Sequence, residues 1–235
     1  MIDLKLLRRH YLLVKKIVNR KQMDLKALIA LILTAIILLI SSCSESSKKQ
    51  LPIYNPSDIN PKLVDKSLHN SNENHTVADF KLINQNGKTI TQDDYKGKIY
   101  VTDFFFTRCK SICPIMTNNM VKIQEAYLDN DDIMFLSLSV TPDIDSIPIL
   151  REYANRKGVI DTKWNVTTGD KKHIYELARK SYFAVVEQGD GGLQDFIHTP
   201  NFVLVDKKKQ IRGIYDGTED DEILRLINDI KTLTN

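Results

Sequence analysis

The chain has 235 residues, with 33 Lys/Arg, 30 Asp/Glu, three Cys and a formal charge of +3. Residues 1–42 hold a disproportionate share of the basic groups, so 25 basic and 28 acidic residues remain from Cys43 onward. That near-neutral, slightly acidic remainder lacks the electrostatic footprint of a nucleic-acid binder, and its length allows one folded domain.

From Ala27 to Ile40 the sequence is apolar except for Thr34, with Lys21 and Lys26 ahead of it and Ser41-Ser42-Cys43 behind. This pattern predicts an export signal over residues 1–42, because the apolar run is shorter than the ~20 residues that usually span a bilayer. Ile40-Ser41-Ser42-Cys43 resembles the lipobox of bacterial lipoproteins, which implies that Cys43 is acylated and becomes the mature N-terminus. The alternative is an uncleaved membrane anchor with an incidental Cys43; either arrangement puts the remainder outside the cytoplasm, on the periplasmic side of a membrane. Met23 is an alternative start, since the 22 preceding residues are unlike an ordinary signal n-region. Residues 43–75, rich in Ser, Lys, Asn and Pro, read as a flexible lipid-anchored tether.

The folded domain is expected over residues 76–235. Ala78 to Ile83 alternates like a strand, Asn86-Gly87 supplies a turn, and Lys88 to Ile90 returns, so an N-terminal β-hairpin opens it. Ile99 to Phe106 is a dense β-branched and aromatic run that suits a buried central strand. Pro114 sits at a favourable first helical position, and Met116, Met120, Ile123 and Tyr127 recur at helical spacing. The remaining expectations are a strand at Ile133–Val140, a helix at Ile147–Arg156, an extended piece at Trp164–Thr168, and a helix at Lys171–Lys180 capped by Asp170. Tyr182–Glu187 then reads as a strand, Phe202–Val205 and Gln210–Tyr215 as a hairpin, and Glu219–Leu233 as an amphipathic helix. The order implies an α/β fold, a mixed central sheet with helices on both faces and ligands at strand C-termini.

The chemistry concentrates in Phe104 to Pro114, where a strand ends in Cys109 and Cys113 and a helix begins. Thiolates there lie near unsatisfied backbone N–H groups and the positive end of the helix dipole. The four-residue spacing brings both sulfurs to one side, able to chelate one ion or to be oxidised together. Soft thiolates select Cu(I), and an imidazole would add a donor that also tolerates Cu(II). His198 is the candidate, because its loop precedes a strand and should lie at the cysteine end of the sheet. A plain stabilising disulfide is the alternative, although so short a loop returns little stability. Met116 and Met120 read as core, His69 and His75 as solvated tether residues, and His173 as part of a polar helix start. Asp103, inside the apolar strand, is either a proton acceptor near the thiols or a hydrogen-bonded structural group.

Phe104-Phe105-Phe106-Thr107-Arg108-Cys109-Lys110-Ser111-Ile112-Cys113-Pro114 resembles the F-x-x-T-x-C-P-x-x-C-P signature of the Sco family of thioredoxin-like copper proteins that assist cytochrome c oxidase assembly. Leu138 to Pro148 is similar to its V-S-x-D-P-x-x-D-T-P element, and Asp195 to Asp206 to its late histidine segment. The resemblance implies a thioredoxin-like fold and copper ligation by Cys109, Cys113 and His198. Lys110 replaces the usual proline and should lower the thiol pKa values; Thr141 replaces the first aspartate, leaving Asp145. Thr199-Pro200 resembles the cis-proline step of thioredoxin-like proteins, so a cis bond is expected there.

The function implied is a copper metallochaperone that delivers Cu(I) or Cu(II) to the binuclear copper site of oxidase subunit II, with copper donor and thiol reductant unspecified. The competing function is an extracytoplasmic thiol-disulfide oxidoreductase that reduces the recipient's cysteines through Cys109 or Cys113. A peroxiredoxin-like thiol peroxidase is a third, disfavoured by the paired thiols.

Overall fold

The computed structural model describes residues 8–16, 27, 29, 50–59, 74–185 and 196–234. The chain divides into two units, Met1–Lys48 and Lys49–Asn235. Cys43 and most of the apolar run before it lie outside the described residues, and no helix among those described is long and apolar enough to cross a membrane.

The second unit is built on seven strands: β1 (Lys81–Asn84), β2 (Thr89–Thr91), β3 (Ile99–Phe105), β4 (Ile133–Ser139), β5 (Trp164–Thr168), β6 (Asn201–Val205) and β7 (Ile211–Asp216). Their spatial order is β2-β1-β5-β4-β3-β6-β7, with β3, β4 and β5 parallel and the other neighbouring pairs antiparallel. The principal helices are α1 (Cys113–Ala126), α2 (Ile147–Lys157), α3 (Lys171–Glu176) and α4 (Asp220–Thr234). The mixed sheet with helices on both faces is thus as the sequence predicts.

Alternation along β3 divides the core. Ile99, Val101 and Phe105 pack with α1, α2 and α4 on one face; Tyr100 and Phe104 pack with Ile174, Leu177 and Tyr182 on the other. The same period puts Asp103 on the α1 side of the sheet. Met116 and Met120 are buried there, as their helical spacing requires.

Three expectations need correction. First, residues 50–55 belong to the folded unit, although the sequence reading placed them in the tether ahead of residue 76. Leu51 is buried in the α1-side core, the Arg212 Nε donates to the Pro52 carbonyl at 2.9 Å, and the Tyr54 N–H donates to the Ile211 carbonyl at 2.9 Å. This strap supplies partners to β7, an edge strand that would otherwise leave backbone groups open. Second, His75 is half-buried, with Nε2 2.8 Å from the Ser181 carbonyl and its ring 4.5 Å from that of Phe183. Burial holds its pKa below the ordinary histidine value, against the opposing hydrogen bond to Ser181.

Third, Tyr182 to Val185 form no strand; α3 passes instead into a π-helical turn, Leu177–Ser181. The Tyr182 N–H donates to the Leu177 carbonyl and the Ala184 N–H to the Ala178 carbonyl, which folds this apolar run back against the core. Its hydrophobic residues are there to be buried, and no neighbouring strand is needed to bury them.

A dithiol at a strand-to-helix junction

β3 ends at Phe105, and a turn carries the chain through Cys109 to Cys113, the first residue of α1, with Pro114 next. That turn is held from below by Asp145. Its carboxylate accepts from the Thr107 hydroxyl at 2.6 Å and the Thr107 N–H at 3.2 Å, and from the Ser139 and Thr141 hydroxyls at 2.5 and 3.0 Å. Asp145 is fully buried, so these four donors supply the hydrogen bonds that water would otherwise give it. The sequence comparison marked Asp145 only as a motif residue; its clamp on the cysteine turn depends on contacts 38 positions apart.

The two thiols are unequal. Cys109 is partly exposed and Cys113 buried, and neither is in a disulfide. Burial opposes ionisation of Cys109 and is the largest single influence. Hydrogen bonds from the Cys113 thiol, the Cys113 and Ser111 backbone and the Ser111 hydroxyl outweigh it and hold the pKa below the ordinary thiol value. The Cys113 N–H lies 3.4 Å from the Cys109 sulfur and the Ser111 Oγ 3.6 Å from it. Lys110, expected to lower the thiol pKa, is exposed and is not among these influences. Cys113 is pushed up to about 12, first by burial, then by its hydrogen bond to Cys109, with repulsion from Cys109 and Asp103 adding to the effect. Cys109 is therefore the more readily ionised of the two thiols, and Cys113 the one that holds its proton more tightly.

Asp103 lies beneath, 2 % exposed, accepting from the Ser137 hydroxyl, which in turn accepts from the Trp164 indole N–H at 2.8 Å. Burial raises its pKa to about 7, and the Ser137 hydrogen bond only partly offsets this. Both sequence roles, proton acceptor and hydrogen-bonded structural group, fit a carboxyl in that position.

β6 runs antiparallel to β3, with Tyr100 opposite Val205 and Thr102 opposite Val203, so Asn201 and the residues before it lie at the cysteine end. Phe196 stacks edge-on against Phe106 at 5.0 Å, joining the His198 segment to the cysteine segment. His198 is exposed. Among the described residues no three His, Cys, Asp or Glu side chains gather closely enough to enclose a metal ion, so the dithiol is assembled but the His198 imidazole does not complete a three-donor cluster with it. The Thr199-Pro200 bond is trans, contrary to expectation. The Thr199 hydroxyl donates to the Ala184 carbonyl at 2.7 Å and the Gly217 N–H donates to the Pro200 carbonyl at 2.7 Å, fixing an extended entry into β6 that the favoured trans isomer satisfies.

A parallel-centred sheet with a paired-thiol turn at the end of an interior strand defines a thioredoxin-like dithiol protein. The SCO1/SenC family model matches residues 69–235, and the chain belongs to that family, which comprises cytochrome c oxidase assembly proteins. It is 33% identical over 161 residues to the SCO1 protein homolog of Bacillus subtilis, covering 68% of this chain and 83% of that one. Among solved structures, a SCO1/SenC family lipoprotein from Bacillus anthracis is 31% identical with a TM-score of 0.61, over 68% of this chain and 96% of the other. ScoI of Bradyrhizobium japonicum, solved with copper bound, shares the fold at 24% identity and a TM-score of 0.54, over 67% of this chain and 99% of that one.

Proposed function

We propose that this protein is a copper metallochaperone, carrying one ion on Cys109, Cys113 and His198 and delivering it to the binuclear copper site of cytochrome c oxidase subunit II. In this reading it works on the extracytoplasmic side of a membrane, anchored as a lipoprotein through Cys43. The observation that carries it is the Cys109–Cys113 turn packed against the His198 segment through Phe106 and Phe196. Two thiolates suit a soft cation, and binding must displace the Cys113 proton, so uptake releases protons and weakens as pH falls. The copper-bound structure of a fold relative and the family's role in oxidase assembly support the same reading.

Anaerobic Cu(I) titration of the reduced protein tests it. One ion should bind per chain, and binding should be lost in C109S and in C113S. His198→Ala should lower the affinity by at least roughly tenfold, as expected for loss of a ligand, while leaving dithiol exchange intact. Unchanged copper affinity in H198A would remove the histidine from the ligand set.

The inequality of the thiols favours a second reading, reduction of a client disulfide. The Cys109 thiolate would attack one client sulfur and release the other as a thiolate. Cys113 would then displace the client from Cys109, its proton passing to a departing sulfur, and the Cys109–Cys113 disulfide would need an external reductant.

A further inference from the structure

A cleft of about 230 Å³ opens beside the dithiol, lined by Phe106, Thr107, Cys109, Cys113 and Pro114 on one side and Tyr153, Arg156 and Lys157 of α2 on the other. Thiols apart, its ionisable lining side chains that carry formal charge are basic. Arg156 and Lys157 stand on its wall, and the exposed Arg108 and Lys110 flank Cys109 in the turn. Arg108, Lys110 and Lys157 have no ion-pair partner among the described residues, and Arg156 has only a 3.8 Å pairing with Glu152, whose side chain is 78% exposed. Such an exposed pair neutralises little. This cationic surface occurs on a chain whose residues beyond 42 carry more acidic than basic groups, so it is a local concentration rather than a reflection of composition.

Two large apolar side chains extend the surface past the cleft. Ile115, two residues into α1, is 48% exposed, and Phe196, stacked on Phe106, is 46% exposed. A small anion would use the charge and leave this apolar area wet. A polypeptide would use both.

We propose that this face docks an acidic polypeptide segment of the protein that receives the metal, with carboxylates paired to Arg156 and Lys157 and an apolar side chain against Ile115 and Phe196. The proposal rests on the metal-carrier reading and names the chemistry of its partner. Charges of this kind act chiefly on encounter rate and choice of partner, and their effect falls as salt screens them.

The test is equilibrium binding of a fluorescein-labelled dodecapeptide with several glutamates and one leucine to the full reduced chain, against a twin with glutamines. The acidic peptide should bind about tenfold tighter at low ionic strength and lose that advantage at high salt. R156E/K157E should abolish the preference. K208E, in the β6–β7 turn at the opposite end of the sheet, should retain it. Equal affinity for the two peptides overturns the proposal, as does equal weakening by K208E. Displacement of the peptide by an equimolar small polycarboxylate such as citrate assigns the cleft to small anions and overturns it too. Copper titration of R156E/K157E separates the readings: unaltered stoichiometry with lost peptide preference supports the docking face, whereas failure of the unsubstituted protein to bind copper removes the carrier function alone.

Discussion

At the scale of single residues, the two cysteines differ in a way that their spacing does not express. The sequence makes them look equivalent, four positions apart at a helix start. The fold exposes one and buries the other, and the exposed sulfur receives the hydrogen bonds. Pulse labelling with iodoacetamide followed by mass spectrometry should modify Cys109 first, with a pH midpoint below the ordinary thiol value of 9.0. Cys113, pushed up to about 12, should resist until the protein unfolds. Equal labelling of both would refute the assignment of the thiolate.

Asp103 makes a prediction of opposite sign to the usual carboxylate. Its folded-state pKa of about 7 lies above the ordinary 3.8, so the native protein holds this proton more tightly than the unfolded chain. Its contribution to stability is therefore greatest below the ordinary value and declines as pH rises toward 7, by at most about 1.4 kcal/mol per pH unit. Asp103→Asn retains an oxygen to accept from Ser137 and should flatten that part of the pH profile in urea titrations. An unchanged slope between D103N and the parent would show that another group is responsible. Burial of Asp103 was legible from the apolar residues around it, but its link through Ser137 to Trp164 was not, because those partners come from separate strands.

At the scale of elements, β3, β4, α1 and α2 could be read directly because continuous apolar runs and helical spacing report burial along one element. The candidate site was legible to the same degree: the cysteine turn follows from a strand ending where a Pro-initiated helix starts. The arrival of His198 at that end depended on sheet order, which β6 confirms by pairing antiparallel with β3. The strap escaped because burial of Leu51 and the Arg212 bonds are long-range, although Leu51-Pro52-Ile53-Tyr54 is an apolar island in a polar stretch. Leu51→Ala should destabilise the domain by roughly 2–3 kcal/mol if the strap is integral to the core, measured by chemical denaturation with unchanged copper stoichiometry. A loss within about 0.5 kcal/mol, as for an ordinary surface position, would mean that the strap is only superficially attached.

At the scale of the whole molecule, the reactive turn, the histidine segment and the cationic cleft share one end of the sheet, while the Lys207–Lys209 turn lies at the other. The helix-covered faces supply the rigid frame, and the chemistry stands on loops that connect its strands. The π-helical turn carries no recognisable sequence pattern and arises from packing around Tyr182.

Under the proposed lipid anchor, docking of Leu51 limits how far the protein can range. If Cys43 carries the proposed lipid, only seven residues separate it from Leu51, the first residue fixed to the β7 edge, and these eight Cα–Cα steps reach about 28 Å when fully stretched. A leash that short would confine an anchored molecule to a thin layer next to the bilayer, so that it meets membrane-embedded recipients by lateral diffusion and at a high effective concentration.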